Sequence, residues 1–143
     1  MNFDSITESV VIQIAVTVIL FLGSVILGWM YGPIKWYREN EKLKKILLSG
    51  RRFNFFYRPT DKKFKPVTFL PNGEIGEGKN PNENSWRIRR GKLEIFHQDN
   101  CIYSRFVFDQ SSGRLKHTND ADCGRSVFGQ YFEPLFKGTR SAL

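Results

Sequence analysis

Residues 10–31, VVIQIAVTVILFLGSVILGWMY, form a run of 22 residues without a charged side chain. An α-helix rises 1.5 Å per residue, so a helix of this length spans roughly the 30 Å hydrocarbon core of a bilayer. A cleaved signal peptide is the competing interpretation, but segment 1–9 is acidic, the apolar run is too long, and no A-x-A-like site follows it. We therefore predict a transmembrane helix over 10–31, preceded by the short tail 1–9.

The charges that flank this helix predict its orientation. Segment 1–9 carries Asp4 and Glu8 and no basic residue, whereas segment 32–50 has five lysines and arginines against two glutamates. Basic residues are retained on the cytoplasmic side of a membrane, and interfacial aromatic residues such as Trp36 accompany them. We expect a single pass through the membrane, with the tail outside and the C-terminal part in the cytoplasm.

Segment 32–50 has good helix formers between Pro33 and Gly50, which predicts a short basic juxtamembrane helix or linker. Its lysines would contact anionic lipid headgroups, or they would only set the topology and face solvent, and the sequence leaves both open. Small residues in the membrane helix, such as Gly23 and Gly28, would let a second copy approach closely. We expect a homo-oligomer that forms through the transmembrane helix.

Residues 51–143 consist of short alternating or aromatic-rich runs that are separated by turn residues. These runs predict β-strands over 52–58, 65–70, 85–89, 92–97, 101–108, 114–118 and 126–132. Regularly spaced short strands with tight turns favour one antiparallel domain, either a small β-barrel or a curled sheet. The chain is therefore predicted to be mainly β, with one N-terminal transmembrane helix.

Alternation along a predicted strand assigns its side chains to the two faces of the sheet. In strand 101–108, Ser104 and Phe106 share one face, whereas Tyr103 and Arg105 share the other. Neither face is cleanly polar. This mixture suits a barrel whose interior is partly lined by tyrosine and arginine, although small barrels are more often filled with side chains.

The predicted domain 51–143 has 17 Lys and Arg against 10 Asp and Glu, a net charge of +7, and this charge favours anionic ligands. Basic and aromatic residues gather around one predicted hairpin, where guanidinium groups would pair with phosphates and rings would stack on bases. The predicted ligand-binding residues are Trp86, Arg87, Arg89, Tyr103 and Arg105. The alternative is an arginine-rich outer sheet face that only meets solvent. We expect a cyclic nucleotide or another anionic ligand, and no long nucleic acid.

The polar loop 80–86, NPNENSW, has two interpretations. In the first, its side chains bind a ligand at the rim of the barrel, with Glu83 accepting a hydrogen bond from a hydroxyl or an amide. In the second, asparagine and glutamate close a turn while Trp86 fills one end of the core. The second is favoured because asparagine so often forms turns.

No metal centre and no catalytic site are predicted. His97, Cys101, His117 and Cys123 are residue types that bind zinc, but their spacing does not match the paired ligands of structural zinc sites. Both cysteines are expected to be free thiols in the reducing cytoplasm. No P-loop, Rossmann, metalloprotease or nucleophile-elbow motif occurs. We expect a protein that is not an enzyme and has no cofactor.

The order of parts resembles the membrane-anchored β-barrel effectors of bacterial cyclic-oligonucleotide (CBASS-type) anti-phage systems. It consists of a membrane segment at 10–31, a basic connector at 32–50 and a compact β domain at 51–143, so the resemblance is one of architecture over the whole chain. It implies antiviral defence, in which the barrel binds a cyclic nucleotide and controls oligomerisation at the inner membrane. The best-known members carry two or more transmembrane helices, whereas this chain has room for one. Membrane disruption would therefore require self-assembly.

A second function, from a different class, remains open on the sequence alone. A single anchor with a small β domain suits a scaffold or accessory protein that holds a protein partner at the inner membrane, because exposed Phe and Trp side chains serve as interface anchors. A partner bound independently of nucleotide would favour the scaffold, and nucleotide binding would favour the effector.

Overall fold

The computed structural model describes residues 3–123 and 126–135. The chain divides into two compact units, Met1–Trp36 and Tyr37–Leu143. Helix α1 runs over Phe3–Leu47, and its part Gln13–Leu47 is long and apolar enough to cross a membrane by length and composition. A helix capable of spanning a bilayer is therefore present where the sequence predicts one.

In the first unit apolar side chains are exposed, and the hydroxyl groups of Thr17 and Ser24 bond to the backbone of the helix. Leu27, for example, is 70% exposed. The Thr17 hydroxyl donates a hydrogen bond to the Gln13 carbonyl at 2.8 Å, and the Ser24 hydroxyl donates to the Phe21 carbonyl at 2.7 Å. Hydroxyl groups in a helix surrounded by lipid need such partners, because hydrocarbon offers none. This surface suits contact with lipid.

The second unit begins within the same helix. Leu43 and Leu47, one helical turn apart on one face, are buried in the core of this unit. The Asn40 side chain also accepts a hydrogen bond from the backbone N–H of Gly91 at 2.7 Å. The helix passes through Pro33 instead of beginning there, and the compact unit includes the end of the helix as well as the predicted β domain.

Seven antiparallel strands form one sheet that curls into a half-barrel. The strands are β1 (Phe53–Arg58), β2 (Lys63–Val67), β3 (Ser85–Arg89), β4 (Lys92–Phe96), β5 (Ile102–Asp109), β6 (Arg114–His117) and β7 (Tyr131–Pro134). Their order across the sheet is β2-β1-β7-β6-β5-β4-β3. This confirms the predicted fold, which is mainly β with one long apolar helix.

The last strand begins later than the sequence predicts. Residues 126–130 form a loop, because hydrogen bonds tie this segment to the end of β6. The Ser126 hydroxyl lies 2.8 Å from Nε2 of His117, and the N–H of Gly129 donates to the side-chain oxygen of Asn119 at 3.1 Å. Strand pairing with β1 and β6 therefore starts only at Tyr131.

A short hairpin over 68–77 follows β2 and bonds to the opposite edge of the sheet. Within it, Phe69 pairs with Ile75. The backbone N–H of Trp86, in β3, donates to the carbonyl of Gly73 at 2.7 Å. The hairpin therefore links the two edge strands at one end of the half-barrel, which limits the exposed edge there.

The core lies on the concave face of the sheet and is rich in phenylalanine. Phe55 stacks on Phe132 with ring centroids 4.4 Å apart, and Phe106 meets Phe132 edge-on at 4.8 Å. These side chains come from β1, β5 and β7, and all are buried. Aromatic packing therefore joins the two halves of the sheet across β7.

A β-bulge in β5 changes the face on which one predicted ligand residue lies. Ile95 pairs with Ser104 but Phe96 pairs with Ile102, so Tyr103 is an extra residue without a partner opposite. Tyr103 and Ser104 are both buried, although strict alternation predicts that they face opposite sides. Bulges reorient side chains in this way, and here the bulge turns Tyr103 away from the face of Arg105.

Candidate functional site

A polar pocket of about 620 Å³ lies beside the ends of β1 and β2 that are joined by their turn. It is lined by Tyr57, Arg58, Lys63, Lys65, Asn80, Asn82, Glu83, Tyr103, Val127 and Gln130. Its volume falls within the range of small-molecule and cofactor sites. These ten residues define the polar pocket.

An ion pair between a partly exposed lysine and a buried glutamate lies in the wall of the polar pocket. The ammonium group of Lys65 lies 2.7 Å from Oε2 of Glu83, whose side chain is 5% exposed, and it also donates to the Gly78 carbonyl at 2.8 Å. Lys65 lies on the inward face of β2, two residues before the buried Val67. A charged pair at such a position is costly unless it is well hydrogen-bonded, as this pair is.

The loop before β3 positions Glu83 through a turn. The side-chain oxygen of Asn80 accepts hydrogen bonds from the backbone N–H groups of Asn82 and Glu83, at 2.8 and 2.9 Å. Such side-chain turns are a recurring property of asparagine. The turn interpretation of loop 80–86 is therefore confirmed, because Asn80 closes a turn and Trp86 is buried. Glu83 lines the polar pocket, and its binding of a ligand stays a prediction.

Gln130, Glu83 and Tyr103 are the most deeply buried polar residues of the pocket. Gln130 is 1% exposed, and its Nε2 donates to the Tyr57 carbonyl at 3.2 Å. Its Oε1 has no hydrogen-bond partner. Burial raises the pKa of the neighbouring Tyr103, so its phenol is neutral at physiological pH. The unpaired Oε1 atom is closed to solvent, and such a group destabilises a fold by about 1–3 kcal/mol.

The rim of the polar pocket is basic. Arg58 and Lys63 are partners across the β1–β2 pair, and both are exposed. Like charges directly opposite each other on antiparallel strands repel, and a bound anion relieves this repulsion. With Lys65 the pocket has three basic residues against one acid, Glu83, so its local charge favours an anionic group.

The five residues predicted from sequence do not lie on one surface. Arg87 and Arg105 are brought together by Glu94, whose two carboxylate oxygens accept from their Nε atoms at 2.6 and 2.9 Å. Arg105 also pairs with Asp122 at 2.6 Å and with Asp120 at 3.3 Å. Although burial opposes its charged form, hydrogen bonds from the side chain to Asp122, Glu94 and Asp120 raise the pKa of Arg105. Acidic side chains therefore already neutralise much of this arginine cluster.

Trp86 and Arg89 lie elsewhere. The Trp86 indole is buried, and its N–H donates to the carbonyls of Leu70 and Glu74 at 3.2 and 3.0 Å. Trp86 therefore fills one end of the core. Arg89 is exposed at the end of β3. Of the five predicted residues, Tyr103 alone lines the polar pocket.

The zinc-type residues belong to separate hydrogen-bond arrangements. Nδ1 of His97 lies 3.0 Å from Asp99, and Nδ1 of His117 lies 2.7 Å from the side-chain oxygen of Asn119. Both Cys101 and Cys123 are free. Over 3–123 and 126–135, no group of three or more His, Cys, Asp or Glu residues is arranged to hold a metal ion.

Sequence reasoning missed Lys65 and Gln130 as pocket residues. A signal exists for Lys65, because alternation in β2 places it on the same face as Val67 and therefore toward the core. Alternation in the predicted strand 126–132 likewise places Gln130 on the face of the buried Phe132, although Gln130 precedes β7 in the structure. No protein-family model, curated protein or solved structure matches this chain. Its function must therefore be argued from the chemistry of the pocket.

Proposed function

We propose that this chain is a membrane-anchored sensor or effector whose half-barrel binds a cyclic nucleotide in the polar pocket. In this proposal, binding controls association of the anchors and serves anti-phage defence, without enzymatic activity. One observation carries it: a polar pocket of about 620 Å³ has a basic rim, on which Arg58 and Lys63 lie directly opposite each other. This combination suits a ligand with a polar body and a phosphate.

The residues of the polar pocket divide into two chemical roles in this proposal. Arg58 and Lys63 take the phosphate, where charge-assisted hydrogen bonds are strongest. Tyr57 and Tyr103 offer ring surfaces for a base, and aromatic stacking contributes about 1–3 kcal/mol per base. The predicted arginines Arg87 and Arg105 have a mainly structural role here, because their charges are taken up by acidic neighbours.

The proposed location is the bacterial inner membrane, with the N-terminus outside and the half-barrel in the cytoplasm. The apolar helix over Gln13–Leu47 and the basic residues that follow its apolar part support this orientation. Binding shifts the anchors between assembly states only if the ligand prefers one state. The proposal therefore requires that nucleotide bind more tightly to the oligomer than to the single chain, or the reverse.

Titration calorimetry on the full-length protein in lipid nanodiscs tests the proposal. Cyclic di-AMP, cyclic di-GMP and cyclic GMP-AMP are the probes. Replacing both Arg58 and Lys63 with alanine should weaken binding about tenfold to a hundredfold and reduce its salt dependence, because charge-assisted contacts are lost. The matched control is Arg89→Ala, an exposed arginine outside the pocket. Binding of none of the three probes, or an equal loss in the control, contradicts the proposal.

A second candidate function is favoured by an aromatic patch on the outer face of the sheet. Phe56 stacks on Tyr131 with centroids 4.4 Å apart and meets Phe64 at 5.1 Å. Phe64 is 52% exposed. Exposed aromatic clusters often serve as anchors in protein interfaces, so we propose a scaffold role as the alternative. A partner that copurifies stoichiometrically, is lost with Phe64→Ser and is insensitive to nucleotide would favour the scaffold.

A further inference from the structure

A second groove, of about 270 Å³, lies where the end of helix α1 meets the turn between β3 and β4 and the end of β5. Among its lining residues are Lys42 and Ile46 from the helix, Arg90 and Lys92 from the turn and the start of β4, and Val107 from β5. All of them belong to the second unit, and we call this site the helix groove. It shares no lining residue with the polar pocket, so a ligand bound in it would be a second ligand.

Close contacts between the helix and the turn build the wall of the helix groove. The backbone N–H of Gly91 donates to the side-chain oxygen of Asn40 at 2.7 Å. Gly91 has a φ of +74°, and a Cβ atom at this position would lie 2.7 Å from Oε2 of Glu39. Glycine therefore allows the helix to approach the turn closely. Leu43 is 2% exposed, which fixes the face that the helix turns toward the sheet.

The charge of the helix groove favours an anion. Three basic residues line it, Lys42, Arg90 and Lys92, against one acid, Glu39. Lys92 pairs with Asp120 at 3.2 Å. Lys42 is exposed and forms no ion pair with any residue that the structure describes. An unneutralised cation beside further cations attracts a negatively charged group, and hydrogen bonds to such a group are strong.

The floor of the helix groove is apolar. Leu43 is buried, and Ile46 and Phe108 are half-buried against the core. Val107 is 37% exposed. A small inorganic anion would leave these carbon atoms uncovered, whereas a ligand with hydrocarbon beside its charged group would cover them and gain free energy from doing so. An anionic phospholipid has this combination, because its phosphate adjoins the glycerol backbone and the acyl chains.

The chain also keeps the helix groove near lipid. The part of α1 over Gln13–Leu47 is long and apolar enough to cross a membrane. Glu39 follows Tyr31, the last residue of the uncharged run, by eight residues within the same helix. An α-helix rises about 12 Å over that number of residues. A groove tethered so closely meets phospholipid at a high effective concentration, and this favours lipid over other amphiphiles.

We infer that the helix groove binds the headgroup of an anionic phospholipid. Lys42 and Arg90 pair with the phosphate, while the glycerol and the first carbon atoms of the acyl chains contact Ile46 and Val107. This inference goes beyond the proposed function, because it assigns a ligand of another class to a different site. The two proposals share only the membrane anchor.

Native mass spectrometry of the full-length protein in detergent micelles tests the inference by counting bound lipids. The probes are phosphatidylglycerol, which has a net negative charge, and phosphatidylcholine with the same acyl chains, which has none. We expect one tightly bound phosphatidylglycerol per chain, held at least about tenfold more tightly than phosphatidylcholine. Glycerol 3-phosphate at millimolar concentration should not displace it, because this compound leaves the apolar floor uncovered.

A double variant assigns the lipid to the two cations of the groove. Lys42→Gln with Arg90→Asn removes both charges, and asparagine tolerates the φ of +52° at residue 90. It should weaken phosphatidylglycerol binding about tenfold to thirtyfold. The matched control is Lys44→Gln with Lys45→Gln, which removes the same charge from exposed positions of the same helix outside the groove. The control should change binding by less than about threefold.

A second pair of variants tests the apolar floor. Val107→Asp places a carboxylate where the lipid would lie, and it should weaken phosphatidylglycerol binding at least about tenfold by repulsion. Leu135→Asp is the matched control, because Leu135 is 39% exposed and lies outside the groove. Its effect should again be less than about threefold. Both positions are exposed, so neither substitution disturbs the core.

The outcomes separate this inference from the proposed function. Equal affinities for the two lipids, displacement by glycerol 3-phosphate, or an equal loss of binding in a groove variant and its control overturns the lipid inference. Each of these results leaves the cyclic-nucleotide proposal standing, because the probes and variants for that proposal address the polar pocket. Lipid selectivity that is lost only in the groove variants supports the inference, whether or not any nucleotide binds.

Discussion

Replacing Leu47 with alanine tests whether the end of helix α1 is part of the core of the half-barrel. Leu47 is 1% exposed, and the substitution removes three side-chain carbon atoms. Their transfer to water costs about 0.8 kcal/mol each, or about 2.4 kcal/mol together. The cavity that remains raises the loss in the free energy of unfolding to about 3–5 kcal/mol. This is a large fraction of the stability of a small domain.

Urea unfolding of the full-length protein in detergent micelles, followed by circular dichroism of the sheet, measures this loss. At an m-value of about 2 kcal/mol/M, the midpoint should fall by about 1.5–2.5 M. Leu135→Ala, at an exposed position after β7, is the matched control and should cost less than about 1 kcal/mol. If Leu47→Ala costs no more than the control, the helix end does not stabilise the half-barrel and the reasoning is refuted.

Two further predictions concern the backbone and the effect of pH. Gly78→Ala should destabilise the fold by more than about 2 kcal/mol, because φ is +78° and a Cβ atom would overlap the Pro66 carbonyl oxygen. Gly113→Ala, with φ +67° and open space around it, should cost only about 1 kcal/mol in the same urea titration, and equal losses would contradict the steric argument. Hydrogen bonds from Lys116, Ser111 and Ser112 hold the pKa of Asp109 well below its usual range. The contribution of Asp109 to stability is therefore present above about pH 4 and is lost as pH falls toward the folded-state pKa. Asp109→Asn should flatten the acid side of the plot of unfolding free energy against pH. Parallel plots for the variant and the parent protein would contradict this.

The strands were predictable from sequence because each alternates with a period of two between turn residues. The bulge at Tyr103 was not, since alternation assumes an unbroken register and one extra residue leaves no mark in the sequence. β1 and β3 match closely, since they are predicted at 52–58 and 85–89 and found at Phe53–Arg58 and Ser85–Arg89. β2 is predicted at 65–70 but lies at Lys63–Val67. The last was misplaced because side-chain hydrogen bonds from β6 hold its first predicted residues in a loop.

The candidate site was less predictable than the fold for a physical reason. Counting basic residues around a hairpin identified Arg87 and Arg105 but not the acids that neutralise them, because Glu94 becomes their neighbour only through strand register. Asp122 arrives from a separate short 3-10 helix. Gln130 shares a predicted face with Phe132, but its bond to the Tyr57 carbonyl joins residues 73 positions apart and is not written in the local sequence.

The position of β7 has a consequence for how this chain is made. Among residues 3–123 and 126–135 it is the last strand in sequence order, yet it lies between β1 and β6 and places Phe132 opposite both Phe55 and Leu115. Until β7 leaves the ribosome, the β1–β2 hairpin and the β3–β6 meander have no hydrogen bonds that join them across the middle of the sheet. Contacts so distant in sequence form slowly, and open strand edges are prone to aggregate in the interval. During synthesis, two incomplete half-sheets are therefore exposed until β7 has been made. Slow translation near this point would prolong their exposure.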